Sequence, residues 1–209
     1  TWYWTKENIK NMIKISILPI VKKYYDSHVI SVDLQLINFL KKIFKKSRIE
    51  ILNRKSSLTS DLLVISGGNT IPKFSKKKED LIRNKLDNFF YKEAIKKKIP
   101  IIGICHGSQF LANKFGAIFK KDNIHGKLRM HDLIIDTNYN KIYKVNSYHN
   151  ISIKNLSKNF YLLGKTKDNY IEYFKHKKLN ITGIMWHPER NYIIQKIDKQ
   201  IMKNILKWF

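Results

Sequence analysis

The sequence predicts an α/β fold: a central, mostly parallel sheet flanked by helices, with a smaller hairpin region. Three observations predict it. Short apolar runs alternate with helically spaced ones along most of the 209 residues, the signature of successive strand and helix units. Residues 61–66 read Asp-Leu-Leu-Val-Ile-Ser, a run apolar enough for a strand covered on both faces. This run and the one at residues 100–104 each pass directly into a turn containing glycine, Gly67-Gly68 in one case and Gly103-Ile104-Cys105-His106-Gly107 in the other.

The elements follow in order. Residues 15–18 are the first strand, closed by Pro19. Leu36, Ile37, Leu40, Ile43 and Phe44 recur at three- and four-residue spacing, which predicts an amphipathic helix over 32–46. Residues 49–52 and 61–66 are the second and third strands. A helix over 79–97 is expected to bury Ile82, Leu86, Phe89 and Phe90, and residues 100–104 are the fourth strand. Helical spacing over 109–115 stops at Gly116. From 124 to 186 the runs shorten, as at 133–135, 143–145 and 181–185, which predicts small strands and hairpins. A last helix over 192–208 packs through Ile193, Ile197, Ile201 and Ile205. Residues 1–11, with Trp2, Tyr3 and Trp4, read as a leader or tag-like segment, and 12–209 as a single domain.

Composition narrows the function. Hydrophobic residues are 43% of the chain and aromatic residues 12%, enough to build a core and to argue against disorder. The net charge of +25 comes from 41 Lys and Arg against 16 Asp and Glu. The lysines lie in short runs at 76–78, 96–98 and 177–178, and arginine is scarce. Nucleic-acid binding is therefore set aside in favour of an anionic substrate or partner. One cysteine cannot form an internal disulfide, so a reducing compartment is expected. Lys14 interrupts the apolar stretch near the start, and neither a membrane span nor a secretory signal is visible. The cytoplasm is the expected location.

The chemistry centres on Cys105. A nucleophile on a sharp strand-to-helix turn needs small flanking residues, here Gly103 and Gly107. The amides at the start of the following helix favour a thiolate and, later, an oxyanion. Alone, the turn also suits an inert buried thiol. Trp186-His187-Pro188-Glu189-Arg190 lies far downstream and supplies a base, His187, with a carboxylate, Glu189, to orient it. A catalytic Cys105, His187 and Glu189 is the expectation.

Together, Gly-x-Cys-x-Gly-x-Gln and His-Pro-Glu resemble the class I glutamine amidotransferases, a flavodoxin-like fold, and the match runs from about Met12 onward. Trp186 before the His-Pro-Glu resembles the γ-glutamyl hydrolase branch. The resemblance implies an oxyanion hole from the backbone amides of Gly68, in Ser66-Gly67-Gly68-Asn69, and of His106. It also implies that Gln109, Ser147, Tyr148 and His149 line the glutamyl pocket. The chain departs from the branch pattern in two places: His106 and Ser108 stand where Arg and Met are common, and Asn69 stands near a frequent acidic residue.

The implied reaction is cysteine-dependent hydrolysis of a γ-glutamyl amide through a glutamyl thioester, with no metal and no cofactor. The expected partner is a small-molecule γ-glutamyl conjugate, with a phosphorylated or nucleotide amidate among the candidates. The alternative is a glutaminase subunit that supplies ammonia to a synthase. His125 and His131 are read as ordinary polar residues.

Overall fold

The computed structural model describes residues 12–121, 126, 130–135 and 141–206. The leader-like segment 1–11, His125 and the predicted helical residues past 206 lie outside these. Along the chain run β1 (Ile13–Leu18), β2 (Ile20–Tyr24), β3 (Ser27–Ser31), α1 (Leu34–Ile43), β4 (Ser47–Ile51), β5 (Leu62–Ile65), α2 (Lys78–Lys96), β6 (Ile101–Ile104) and α3 (His106–Lys114). There follow β7 (Ile118–Lys121), β8 (Met130–Ile135), β9 (Lys141–Asn146), β10 (Ile151–Asn155), β11 (Phe160–Lys165), β12 (Ile171–His176), β13 (Ile181–Ile184), a 3-10 turn at Pro188–Arg190 and α4 (Lys196–Ile205).

Five strands, in the order β4-β1-β5-β6-β13, form the parallel centre of a mixed sheet. Antiparallel β12, β11, β8 and β9 extend it beyond β13, and β10 joins β12 to β7. The fold class is the one the sequence predicts. Alternation along β5 divides its side chains: Leu63 and Ile65 meet Leu86 and Phe90 of α2 and Phe110 of α3 in one core. Leu62 and Val64 meet Leu36 and Leu40 of α1 and Ile201 of α4 in the other. A parallel sheet covered on both faces has to be apolar on both. No helix among the described residues is long and apolar enough to cross a membrane.

Three expectations change. The chain from 20 to 31 forms a β2–β3 hairpin that the sequence conceals, because its turn uses Tyr25 at φ 50° with no glycine and Val21 is the one buried apolar residue of its strands. On α2 the buried side is Asp80, Arg83, Leu86, Asp87, Phe90 and Ala94. Phe89 is instead 52% exposed, since it sits about 100° around the helix from Phe90. The last helix begins at Lys196, where the Asp198 carboxylate accepts the Gln195 N–H at 3.2 Å. Ile193 lies before that cap and is 74% exposed.

The tightest packing is between α3 and the sheet. A Cβ on Gly107 would stand 2.1 Å from the Ile65 carbonyl oxygen, and one on Gly103 would stand 2.4 Å from the Gly107 backbone. Because both obstacles are backbone, relief requires α3 to lift from β5. Gly107→Ala is expected to destabilise the protein by about 3 kcal/mol, the upper end for overpacking. Urea unfolding monitored by fluorescence checks this.

Candidate active site

Leu18, Ser66, Cys105 and Met185 follow one another across the carboxyl ends of the parallel strands, the edge where open α/β sheets place their sites. Cys105 joins β6 to α3 at φ 50° and ψ −100°, a conformation that a non-glycine residue holds only when its surroundings impose it. They do so from both sides: Cys105 N–H donates to the Ile184 carbonyl at 2.8 Å, and its own carbonyl accepts Gln109 N–H at 2.9 Å. The side chain therefore stands at the positive end of a nine-residue helix.

His187 reaches the same point from the end of β13. Its Nδ1 lies 2.7 Å from Glu189 Oε1, which leaves Nε2 for the thiol, whose ionisation is coupled to that of the imidazole. Asn146 clamps the histidine backbone: its Oδ1 accepts His187 N–H at 2.8 Å and its Nδ2 donates to the His187 carbonyl at 2.7 Å. Burial alone would push the thiol up, but His187 and the charge of His149 together hold it below its ordinary value. Burial likewise opposes charge on His187, yet Cys105 first and Glu189 second raise it to about 9. Both shifts favour a thiolate facing an imidazolium.

The glycine loop after β5 closes over this pair. A Cβ on Gly67 would lie 2.5 Å from His187 Cε1 and 3.4 Å from Cys105 Cβ, so only glycine lets the backbone pass so near the imidazole. Gly68 has φ +122° and packs under Ile20. Asn69 binds the β2 backbone, donating from Nδ2 to the Val21 carbonyl and accepting Val21 N–H, both at 2.9 Å. The carboxylate near this loop comes from Asp80, which accepts Asn69 Nδ2 at 2.9 Å and Thr70 N–H at 3.0 Å. His106 turns inward and its Nε2 meets Asp87 Oδ2 at 2.8 Å.

A pocket of about 200 Å³ opens onto Cys105, lined by Gly68, Gln109, Tyr148, His149, His187 and Arg190 among others. Gln109 donates its amide to the Ile151 carbonyl at 2.8 Å, bracing that wall. Tyr148 sets its ring edge-on to His187, centroids 5.6 Å apart. His149 lies 3.4 Å from the fully buried Glu172, whose other oxygen is 3.5 Å from His131. Burial opposes charge on Glu172, but its two histidines draw its carboxyl down to about 2. Of the four residues expected to line a glutamyl pocket, Gln109, Tyr148 and His149 line this cavity, and Ser147, 2% exposed, is not in its lining. Sequence reasoning misses Asp80, Arg83, Asp87, Asn146 and Glu172. Charged residues at three- and four-residue spacing on the apolar side of α2 are the available signal. Among the described residues no group of three or more His, Cys, Asp or Glu converges as a metal site.

A buried cysteine turn, an imidazole–carboxylate pair and a glycine loop at the carboxyl edge of a parallel sheet define an α/β protein of the amide-hydrolysing type. The family model for class I glutamine amidotransferase matches residues 24–207, and the chain belongs to that family as an enzyme acting on amide bonds. It is 36% identical over 152 residues to a gamma-glutamyl-CDP-amidate hydrolase of Campylobacter jejuni, covering 70% of this chain and 68% of that protein. It is 29% identical over 132 residues to a glutamine-hydrolyzing GMP synthase subunit of Methanosphaera stadtmanae, 61% of this chain and 64% of that one. Among solved structures, a glutamine amidotransferase from Thermotoga maritima superposes with a TM-score of 0.67 at 18% identity, over 94% of this chain and 85% of the other.

Proposed function

We propose that this protein hydrolyses a γ-glutamyl amidate whose leaving group carries phosphate, by way of a glutamyl thioester on Cys105. The observation that carries the proposal is the Cys105–His187–Glu189 array at the floor of a pocket that, among the described residues, has no acidic side chain in its lining. The Cys105 thiolate attacks the γ-carbonyl, and the backbone amides of Gly68 and His106 receive the oxyanion. His187, protonated at Nε2, passes that proton to the departing nitrogen. Water then enters, gives a proton back to His187 and cleaves the thioester, releasing glutamate and restoring the thiolate–imidazolium pair. Glu189 holds the imidazole in place through both steps. Gln109, Tyr148 and His149 surround the glutamyl group.

Pocket size supports a bulky leaving group that stays outside. About 200 Å³ is less than the roughly 300–1,000 Å³ of sites that enclose a drug-sized ligand, so the acyl part fills it and the rest emerges at the mouth. Arg190 stands at that mouth, its guanidinium carbon 4.6 Å from the Tyr148 ring centroid and its Nε 3.7 Å from Asp33. A planar cation braced on an aromatic face is suited to phosphate. Arg190→Gln is expected to lower kcat/KM for γ-glutamyl-CDP-amidate about 10- to 100-fold, as for a charged hydrogen bond. Turnover of the neutral γ-glutamyl-p-nitroanilide should change less than about threefold, and equal losses on both substrates would remove the phosphate assignment.

The proposal is tested by incubating the protein with glutamine, γ-glutamyl-aminobutyrate and γ-glutamyl-CDP-amidate and measuring glutamate. Highest kcat/KM on the amidate is expected. Turnover of glutamine alone, appearing only with an added synthase, would instead establish an ammonia-supplying role, the reading that the similarity to the Methanosphaera stadtmanae GMP synthase protein favours.

A further inference from the structure

Asp80, Arg83 and Asp87 occupy positions i, i+3 and i+7 of α2 and so share one face. That face is turned into the protein, where the three residues are 4%, 0% and 0% exposed. Burying a guanidinium and carboxylates costs several kcal/mol per ion, and apolar residues of equal volume are often as stable or more so. Stability is therefore a weak reason for charge here, and the hydrogen bonds point to another.

Each of the three side chains holds a segment that carries a proposed oxyanion donor. Arg83 donates to the Ser66 carbonyl at 3.0 Å, directly before Gly67-Gly68, and to the Pro19 carbonyl at 2.6 Å beneath it. Asp80 accepts Thr70 N–H and Asn69 Nδ2, directly after those glycines. Gly68 is thus held from both ends. Asp87 takes Arg83 Nε on one oxygen at 2.6 Å and His106 Nε2 on the other at 2.8 Å. His106 is the residue whose amide is the second donor. Asp80 and Asp87 are seven residues apart, so about 10 Å of rigid helix ties the glycine loop to the cysteine turn, two segments that otherwise sit on separate strands.

We infer that Asp80, Arg83 and Asp87 are positioning residues that set the spacing between the Gly68 and His106 amides, so that the tetrahedral oxyanion meets both donors together. The inference rests on the reading of Cys105 as nucleophile. It also assigns a use to His106: where an arginine at this position would be long enough to leave the interior, the shorter imidazole anchors the turn from behind. The thiol is held low by His187 and His149 against burial and Glu189, with none of the three α2 side chains among these causes, so the network is assigned to the oxyanion.

The test uses Asp87→Asn and, because that change leaves Arg83 buried without a counter-charge, the double substitution Arg83→Met with Asp87→Leu, which removes both charges and keeps apolar volume. Three quantities are measured per titratable thiol: kcat and KM with γ-glutamyl-p-nitroanilide, affinity for an aldehyde analogue of the γ-glutamyl group, and the pH profile of alkylation by iodoacetamide. The aldehyde takes the thiol across its C=O bond to give a hemithioacetal, with no atom lost, whose oxygen occupies the oxyanion position. Misplacement of a donor by about 1 Å can cost on the order of 100-fold. Expected is a 10- to 100-fold fall in kcat with KM within about threefold, a parallel loss of aldehyde affinity, and an unchanged alkylation profile. Wild-type kcat and aldehyde affinity per folded thiol, in either variant, would overturn the inference, even if melting temperature falls. So would a loss confined to alkylation. Activity retained by Cys105→Ala would instead sink the underlying nucleophile assignment, an outcome read on a different variant.

Discussion

Cys105→Ala is expected to stop glutamate release, lowering kcat/KM for γ-glutamyl-CDP-amidate by at least about 10⁴-fold while leaving the fold intact. The size follows from the chemistry: without sulfur there is no acyl-enzyme, and what remains is the acceleration from binding and the oxyanion donors. The fold should survive because the turn is held by backbone bonds to Ile184 and Gln109, and alanine meets the same φ of 50° that cysteine already adopts. Acid-quenched wild-type protein should carry a glutamyl group on the peptide containing Cys105, and the variant should carry none. Turnover within about tenfold of wild type, or the adduct on another residue, would show that the sulfur is not the nucleophile.

Glu189→Gln is expected to cost about 10³-fold in kcat and to move the alkaline limb of the pH profile toward neutrality. Glu189 meets His187 Nδ1 at 2.7 Å and is among the groups that raise its value to about 9, behind Cys105. With a neutral amide in its place the imidazolium is less favoured and its orientation less certain, as when the acid of a triad is neutralised. The sign is fixed by linkage. A histidine raised from its ordinary 6.5 contributes stability that is fully present below 6.5 and is lost as pH rises through about 9. Because Cys105 of the same pair is held below its ordinary value, the two proton exchanges offset each other in stability, and the shift is read from activity instead. Wild-type activity should decline as pH rises through about 9, and in the variant the limb should begin at lower pH. An unchanged limb in Glu189→Gln would mean that the descending ionisation belongs to another group.

The legibility of the site in the sequence depended on the range over which each constraint acts. Gly103, Cys105 and Gly107 stand two residues apart, so the motif is legible over five residues, and side chains are excluded at its two glycines by the backbone of Gly107 and of Ile65. His187 and Glu189 are two residues apart and carry their own geometry. Asn146 and Glu172 are different. Asn146 acts on a histidine 41 residues away, and Glu172 of β12 on His149, in the loop before β10, and on His131 of β8. Nothing in their immediate sequence marks them, so His131 reads as an ordinary polar residue and Asn146 is passed over beside Ser147, Tyr148 and His149.

The face of α2 shows the same division. Apolar spacing correctly announces a helix there, but chooses Phe89 for the interior and leaves Asp80, Arg83 and Asp87 to the solvent. Periodicity measures where hydrophobic surface can go; it is blind to a charge whose cost of burial is met by partners in distant loops and on another helix.

By itself, the order of residues determined the alternation of strands and helices, the apolar parallel centre and the cysteine turn, because each follows from backbone sterics and burial over a few neighbouring residues. Tertiary structure alone decided which buried charges are paired, where the β2–β3 hairpin folds back and how the glycine loop meets the cysteine turn. Those depend on electrostatic and packing contacts between segments tens of residues apart, whose energies exist only once the sheet has brought the segments together.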